Sequence, residues 1–382
     1  MALDIFIPDI HGDPEALRRT LIEAKLAHMH SRELVFDDPG LHELIFTGDY
    51  IDRGPANLET LELLVAVREH FKSVILEAGN HDIVALQALT HPSEPQWMRQ
   101  WMEGVPLLRE VALRDHLTLR SPTKDAHPLA HTELPDNTET ERYFVAWRQF
   151  IEERPEMQHI DFPVAFERTR ELFLDDEKSP FRLLFEQMKF AHRIGDILAV
   201  HAGINEKGLA LGVERLNALY RYAWARRDFR FLFDYDWQAR QPVHGAPLGP
   251  LVCMMKPLPP SENPLISKET ADRMYTERIP VMVHGHAVLL GKGIEEPGVQ
   301  QCNDAYGKIA DMNGDIGMSS GFLKRDPNKP SDWGFIQYDE TSGQFTAVNP
   351  KTGPLDFGTL LDGQYTFPRR GRKEIDFPHR IS

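Results

Sequence analysis

The sequence predicts a layered α/β fold interrupted by a mostly helical insertion, and three observations carry that prediction. Within the first 90 residues, an apolar run, a short polar loop and a helical stripe follow one another three times. Residues 91–190 then hold many charges and several helix-like stretches but no clear strand. From residue 194 to residue 348 strand-like runs return, so the α/β core resumes after the insertion.

Each unit of the first part can be justified from its residues. LDIFIP, residues 3–8, reads as a short buried strand and runs directly into Asp9, Ile10, His11 and Gly12. In extended backbone, residues i and i+2 project to the same side, so the Asp9 carboxylate and the His11 imidazole can converge on one ion. Asp13 is a candidate N-cap with Pro14 at the first helical position, and Ala16, Leu17, Leu21, Ile22 and Leu26 trace the helical stripe. The second unit is the strand ELIFT at 43–47, the loop GDYIDRG at 48–54, and a helix from Pro55 carrying Leu58, Leu61, Leu64, Val65 and Val67. The third is SVILEA at 73–78, then Gly79, Asn80, His81 and Asp82, then the helix IVALQAL.

The insertion offers candidate helices at 94–103, 139–153, 163–174 and 180–190, with a polar, Pro-containing loop at 121–138. It is either structural filling or a cap that sets access to a site. After it, IGDILAV at 194–200 ends in His201, Ala202 and Gly203. The following aromatic and arginine-rich stretch, 221–237, reads as core more readily than as a binding platform, although Arg221, Arg226, Arg227 and Arg230 need anionic partners wherever they are buried. A Pro-rich loop spans 242–264. A strand IPVMV at 279–283 ends in His284, Gly285 and His286, another lies at 308–313, and 334–339 with 344–348 reads as a closing hairpin. The basic run PRRGRKE in the tail reads as solvated surface.

With 382 residues, 41% of them hydrophobic, the chain can bury a sizeable core. No window approaches 18 consecutive apolar residues, and the N-terminal stretch carries acids without a basic n-region, so no membrane span or signal peptide is expected and a cytoplasmic enzyme is the expectation. The two cysteines, Cys253 and Cys302, cannot form a C-x-x-C zinc site and are read as free thiols. The net charge of −15 disfavours a protein that tracks nucleic acid by its bulk field, but it is compatible with a small phosphorylated ligand held by local arginines.

Collected together, the residues at strand ends are Asp9, His11, Asp49, Asp52, Asn80, His81, His201, His284 and His286. Any one of them alone has a bland reading as polar surface or helix cap. Five apolar strands all ending in carboxylate, carboxamide or imidazole on a common sheet edge point instead to a metal site. Oxygen and nitrogen donors without thiolates suit Mn²⁺, Fe²⁺ or Zn²⁺ better than Ca²⁺. Roughly seven donors are too many for one tetrahedral ion, and two ions sharing a carboxylate are the usual apparatus for displacement at phosphorus.

In their order, DIHG, GDYIDRG, GNHD, HAG and HGH resemble the five signature blocks of calcineurin-like metallophosphoesterases, and the DRG form of the second is similar to the phosphoprotein phosphatase branch, including its bacterial members. The resemblance spans residues 9–286. It implies an αββα metallophosphoesterase sandwich over residues 1–350, interrupted by the 91–190 insertion as a possible cap, with 351–382 as a C-terminal tail.

The resemblance also implies roles. Asp9, His11 and Asp49 hold one divalent ion, manganese favoured over iron or zinc, and Asp49 bridges to a second ion held by Asn80, His201 and His286. His284 is the ambiguous member, a ligand in some metallophosphoesterases and not in the phosphoprotein phosphatase pattern. His81 resembles the general acid, Asp52 the carboxylate that orients it, and Arg53 the phosphate clamp; a second clamp arginine is to be sought among Arg221, Arg226, Arg227 and Arg273. The implied reaction is in-line attack of a metal-bridging hydroxide on a phosphomonoester, either a phosphoprotein or a small phosphate ester. GNHD in place of GNHE is also seen in symmetrical diadenosine tetraphosphatases, which makes a dinucleoside polyphosphate the alternative substrate, whereas Asp52 speaks against that alternative. A non-catalytic binding module is the reading from a different class.

Overall fold

The computed structural model describes residues 3–37, 40–91, 101, 105–117, 160–230, 235–236, 241–242, 266–286, 301–305, 308–315 and 332–368. The three βα units form as expected: β1 (Leu3–Ile7) with α1 (Pro14–Glu23), β4 (Leu41–Phe46) with α2 (Asn57–His70), and β5 (Val74–Leu76) with α3 (Asn80–Thr90). A small hairpin of β2 (Ala27–His30) and β3 (Glu33–Phe36) intervenes between the first two. Asp13 caps α1 by accepting the Ala16 N–H at 3.0 Å, with Pro14 in the first turn. Helix α2 starts at Asn57 rather than at Pro55, because the Ala56 N–H is drawn to the Gly12 carbonyl at 3.0 Å.

Of the helices expected in the insertion, two are found in α5 (Phe162–Arg170), extended by a π turn Glu171–Asp175, and α6 (Pro180–Glu186), preceded by α4 (Val105–Arg114). The expected helix 139–153, the loops 121–138 and 243–264, and Cys253 lie outside the described residues, as does 94–103 apart from Trp101. Helices α4 and α6 pack on α2, and α5 packs on α3, so the described part of the insertion joins the helical layer of the first sheet.

Strands β6 (Ala191–Ile194) and β7 (Ile197–Val200) form a hairpin turning at Gly195 and Asp196. Helices α7 (Glu206–Leu211) and α8 (Val213–Arg226) follow, then the two-residue strands β8 (Tyr235–Asp236) and β9 (Gln241–Pro242), α9 (Lys268–Thr276), β10 (Val281–His284), β11 (Gln301–Ala305), β12 (Ile309–Asn313), β13 (Phe335–Asp339), β14 (Gln344–Val348), β15 (Leu355–Leu361) and β16 (Gln364–Thr366). The described part of the aromatic stretch is core on one side: Trp224 and Phe229 are buried, while Arg221, Tyr222 and Arg226 face outward. The first sheet continues past residue 350, because β15 pairs with β14 and β16 with β15.

One sheet runs β16-β15-β14-β13-β1-β4-β5 and the other β11-β12-β10-β7-β6. Strands β1, β4 and β5 are parallel, as are β7, β10 and β12, so their C-terminal ends lie along one edge of each sheet. Side-chain alternation explains how both faces are buried. Phe6, Ile45, Ile197, Ala199, Val281 and Val283 join a core between the sheets, while their neighbours Ile5, Ile7, Leu44, Phe46, Leu198 and Met282 join the core beneath the helices. The result is the αββα sandwich. Among the described residues no helix is long and apolar enough to cross a membrane, and the Cys302 thiol lies 3.4 Å from the Tyr365 hydroxyl.

Candidate metal centre

The loops leaving the C-terminal strand ends are tied together by backbone hydrogen bonds. The His11 and Ile10 N–H groups both donate to the Asp49 carbonyl, at 2.9 and 3.2 Å, and the Gly285 N–H donates to the His201 carbonyl at 2.8 Å across the second sheet. His11, Asp49, Asp52, Arg53 and His286 adopt left-handed backbone, with φ of 48°, 53°, 70°, 63° and 62°. For non-glycine residues this costs about 1–3 kcal/mol each and persists only where the surroundings over-determine it. Five such residues in one basin mark where the fold has accepted strain to aim side chains.

Asp9 and Asp49 sit almost fully buried at the bottom of this basin. His11 Nε2 is 3.8 Å from Asp9 Oδ2 and 3.7 Å from Asp49 Oδ2, and His201 Nε2 is 3.5 Å from Asp49 Oδ2 and 3.1 Å from Asn80 Oδ1. The His201 Nδ1–H donates to the Thr47 carbonyl at 2.7 Å, which turns the Nε2 lone pair toward the basin. The His286 N–H donates to both Asp9 oxygens at 3.0 Å, and the His201 and His286 rings lie 5.1 Å apart. Donor atoms of His11, Asp49 and His81 lie within 4.8 Å of one another, as do those of Asp49, His201 and His286. Asp49 belongs to both groups.

Charge in the basin is arranged for cations. Burial, with the nearby Asp315 and Asp49, pushes the Asp9 carboxyl well above the usual carboxylate range. Burial raises Asp49 too, but the surrounding imidazoles of His201, His81, His11 and His286 outweigh it and leave Asp49 low. Burial lowers His11 and His201 and, together with His201, brings His286 down to about 3, which favours the neutral rings whose lone pairs can be given to a cation. The donor set therefore fits divalent ions with mixed oxygen and nitrogen ligands. Two glycines keep it open: a Cβ on Gly79 would come within 2.1 Å of Asp49 Oδ1, and one on Gly285 within 2.0 Å of Asp9 Oδ1.

At one side of the basin, His81 Nδ1 lies 2.9 Å from Asp52 Oδ2, while the His81 main-chain N–H donates to Asp49 Oδ1 at 2.9 Å. Burial works against the charged ring, but Asp49 and then Asp52 raise the His81 pKa above its ordinary value. Arg53 extends over the basin with Nη1 3.4 Å from His11 Nε2.

His284 is not among the donors that gather around Asp49. Its Nδ1–H donates to the Gly285 carbonyl at 2.8 Å, and its Nε2 lies 3.0 Å from Asp311 Oδ1 of the neighbouring strand. As the last residue of β10 it keeps the strand's alternation and shares a face with Met282, whereas His286 is turned into the basin by its left-handed backbone. Three of the candidate second-clamp arginines are engaged with other residues. Arg226 lies over the Tyr222 ring, Arg227 over Trp224 while donating to the Leu174 carbonyl, and Arg273 pairs with Glu277.

Residues that sequence reasoning did not assign also shape the site. Asp82, fully buried, accepts the N–H groups of Asp49 and Gly79 at 2.9 Å and of Tyr50 at 3.1 Å, and so clamps the loop that carries Asp49. An acid at the third position of a helix that follows glycine was the legible signal. Asp82→Ala is expected to lower stability by about 3 kcal/mol or more, because three N–H groups lose a buried acceptor. The same change should weaken metal binding by about 10- to 100-fold. Denaturant midpoints and metal titration read the two effects; an unchanged metal affinity would separate the clamp from the centre.

The fold and the donor set define a layered α/β protein with a metal-competent basin at the edges of two facing sheets. The chain belongs to the calcineurin-like phosphoesterase family, which matches residues 5–288 and is metal-dependent. It is 30% identical over 144 residues to serine/threonine-protein phosphatase 2 of Salmonella typhimurium, a match covering 35% of this chain and 59% of that protein. It is 45% identical over 51 residues to the symmetrical bis(5'-nucleosyl)-tetraphosphatase of Pseudomonas fluorescens, covering 13% of this chain and 16% of that protein. The chain thus spans less than two thirds of the length of these curated relatives. Among solved structures, a cold-active protein tyrosine phosphatase aligns with 94% of this chain and 79% of its own, at 14% identity and a TM-score of 0.49.

Proposed function

We propose that this chain is a metal-dependent phosphatase that hydrolyses phosphomonoesters. The observation that carries the reading is that Asp49 belongs at once to two groups of donors, one with His11 and the other with His201 and His286. Asp9, His11 and Asp49 would hold one divalent ion and Asp49, Asn80, His201 and His286 a second, with Mn²⁺ proposed ahead of Fe²⁺ or Zn²⁺. When bound, such ions supply Lewis-acid charge and an activated water for displacement at phosphorus.

The remaining chemistry falls to the chain's own groups. The Arg53 guanidinium can pair with two phosphate oxygens and neutralise charge that grows in the transition state. The His81 imidazolium, held through Nδ1 by Asp52, presents Nε2–H to the leaving oxygen and protonates it. A cytoplasmic location is part of the same proposal.

Phosphoproteins and small phosphate esters are both substrates of the proposed kind. A second reading, hydrolysis of a dinucleoside polyphosphate, is favoured by the likeness to the Pseudomonas tetraphosphatase. Incubation of the Mn²⁺-supplemented protein with aryl phosphate, phosphopeptides and diadenosine tetraphosphate distinguishes the two. Release of inorganic phosphate from the monoesters is the expected result; cleavage confined to the dinucleotide would replace the first reading with the second.

A further inference from the structure

The insertion reaches the reactive groups themselves. Trp101 is 1% exposed and packs in the same core as Leu107, Leu108 and Val111 of α4. Its indole Nε1–H donates to Asp52 Oδ1 at 3.3 Å, while the other oxygen, Oδ2, meets His81 Nδ1 at 2.9 Å. A second contact comes from Glu110 on α4. Its Oε2 accepts the Leu58 N–H at 2.7 Å, at the start of α2, and its Oε1 accepts from Asn57 Nδ2 at 2.8 Å. Asn57 Oδ1 in turn accepts the Asp52 main-chain N–H at 2.7 Å. The insertion therefore grips Asp52 twice, at its carboxylate and through its backbone, at a residue whose φ of 70° needs holding.

We propose that the insertion is a working part of the site, in which Trp101 is a positioning residue that fixes the Asp52 carboxylate and through it the orientation of His81. A carboxylate turns freely about its last bond unless both oxygens are engaged. With Oδ1 held by the indole, Oδ2 has one direction in which to meet the imidazole. The insertion thereby acts on proton donation to the leaving group, whatever it does for access. This inference rests on the reading of His81 as the proton donor.

The test uses two leaving groups. Phenyl phosphate leaves as a basic phenoxide that needs a proton, whereas 2,4-dinitrophenyl phosphate departs as a stable anion that does not. Trp101→Phe should lower kcat on phenyl phosphate by about 10-fold and change it less than about twofold on the dinitrophenyl ester, with metal content retained. In an Asp52→Ala background the Trp101→Phe effect should vanish, since the indole then has no oxygen to hold. Equal losses on both esters, or full additivity with Asp52→Ala, would overturn the proposal. If Trp101→Phe does not fold, Glu110→Ala carries the same test through the backbone contact, with a selective loss of about threefold expected. His81→Asn is the control on the underlying reading: should it lose equally on both esters, His81 is not the proton donor and the inference falls with that reading. A selective loss in His81→Asn without one in Trp101→Phe sinks the inference alone.

Discussion

Asp49→Asn is expected to lower turnover of an aryl phosphate by about 10³-fold or more, which corresponds to roughly 4 kcal/mol of lost transition-state stabilisation. The size follows from position. Asp49 lies within 3.7 Å of His11 Nε2 and 3.5 Å of His201 Nε2, so it faces imidazoles from both sheets, at closer range than Asp9, which is 3.8 Å from each ring. Asparagine keeps the shape and one acceptor oxygen, but it removes the negative charge that two cations would share, and its amide can occupy Oδ1's place beside the His81 N–H only as an acceptor. Metal content after dialysis against Mn²⁺ should fall together with activity. Full activity in this variant would refute the assignment of the metal centre, and activity lost with metal fully retained would make Asp49 something other than a shared ligand.

Much of the site was legible because apolar strands are easy to see and their polar ends were unusual. Asp9 and His11 illustrate how a sound conclusion can rest on the wrong geometry. Spacing of two in an extended chain suggested that they converge, and they do, 3.8 Å apart, but His11 has a φ of 48° and gets there by a turn. The same rule fails for His284 and His286, where the strand ends between them and only the turned residue enters the basin. Strand parity holds inside a strand and lapses one residue beyond it.

Other parts were out of local reach. The indole of Trp101 meets Asp52 across 49 positions of sequence, and no periodicity announces a contact of that range. Strands β15 and β16 were hidden differently. Their turn carries Asp362 and Gly363, both with positive φ, which is a hairpin signal in its own right, but the flanking runs are short and only partly buried. Their place is set by pairing to β14 rather than by their own pattern.

Asp52→Asn should leave the metal content intact and lower kcat on phenyl phosphate by about 10²-fold. The carboxylate contacts His81 and Trp101, so its loss should be felt in proton transfer rather than in ion binding. The pH dependence gives the sharper reading. His81 is raised above its ordinary pKa despite burial, by Asp49 and then by Asp52, and it must be protonated to serve as an acid. The rate on a poor leaving group should therefore fall as pH rises through the His81 pKa. Removing the Asp52 charge takes away one of the two causes that raise that pKa while burial still lowers it, so the alkaline limb should move to lower pH. A pH–rate profile of Asp52→Asn beside the wild type, with metal measured in the same samples, reads both effects. An unmoved limb would detach Asp52 from His81, and loss of metal would move Asp52 into the ligand set.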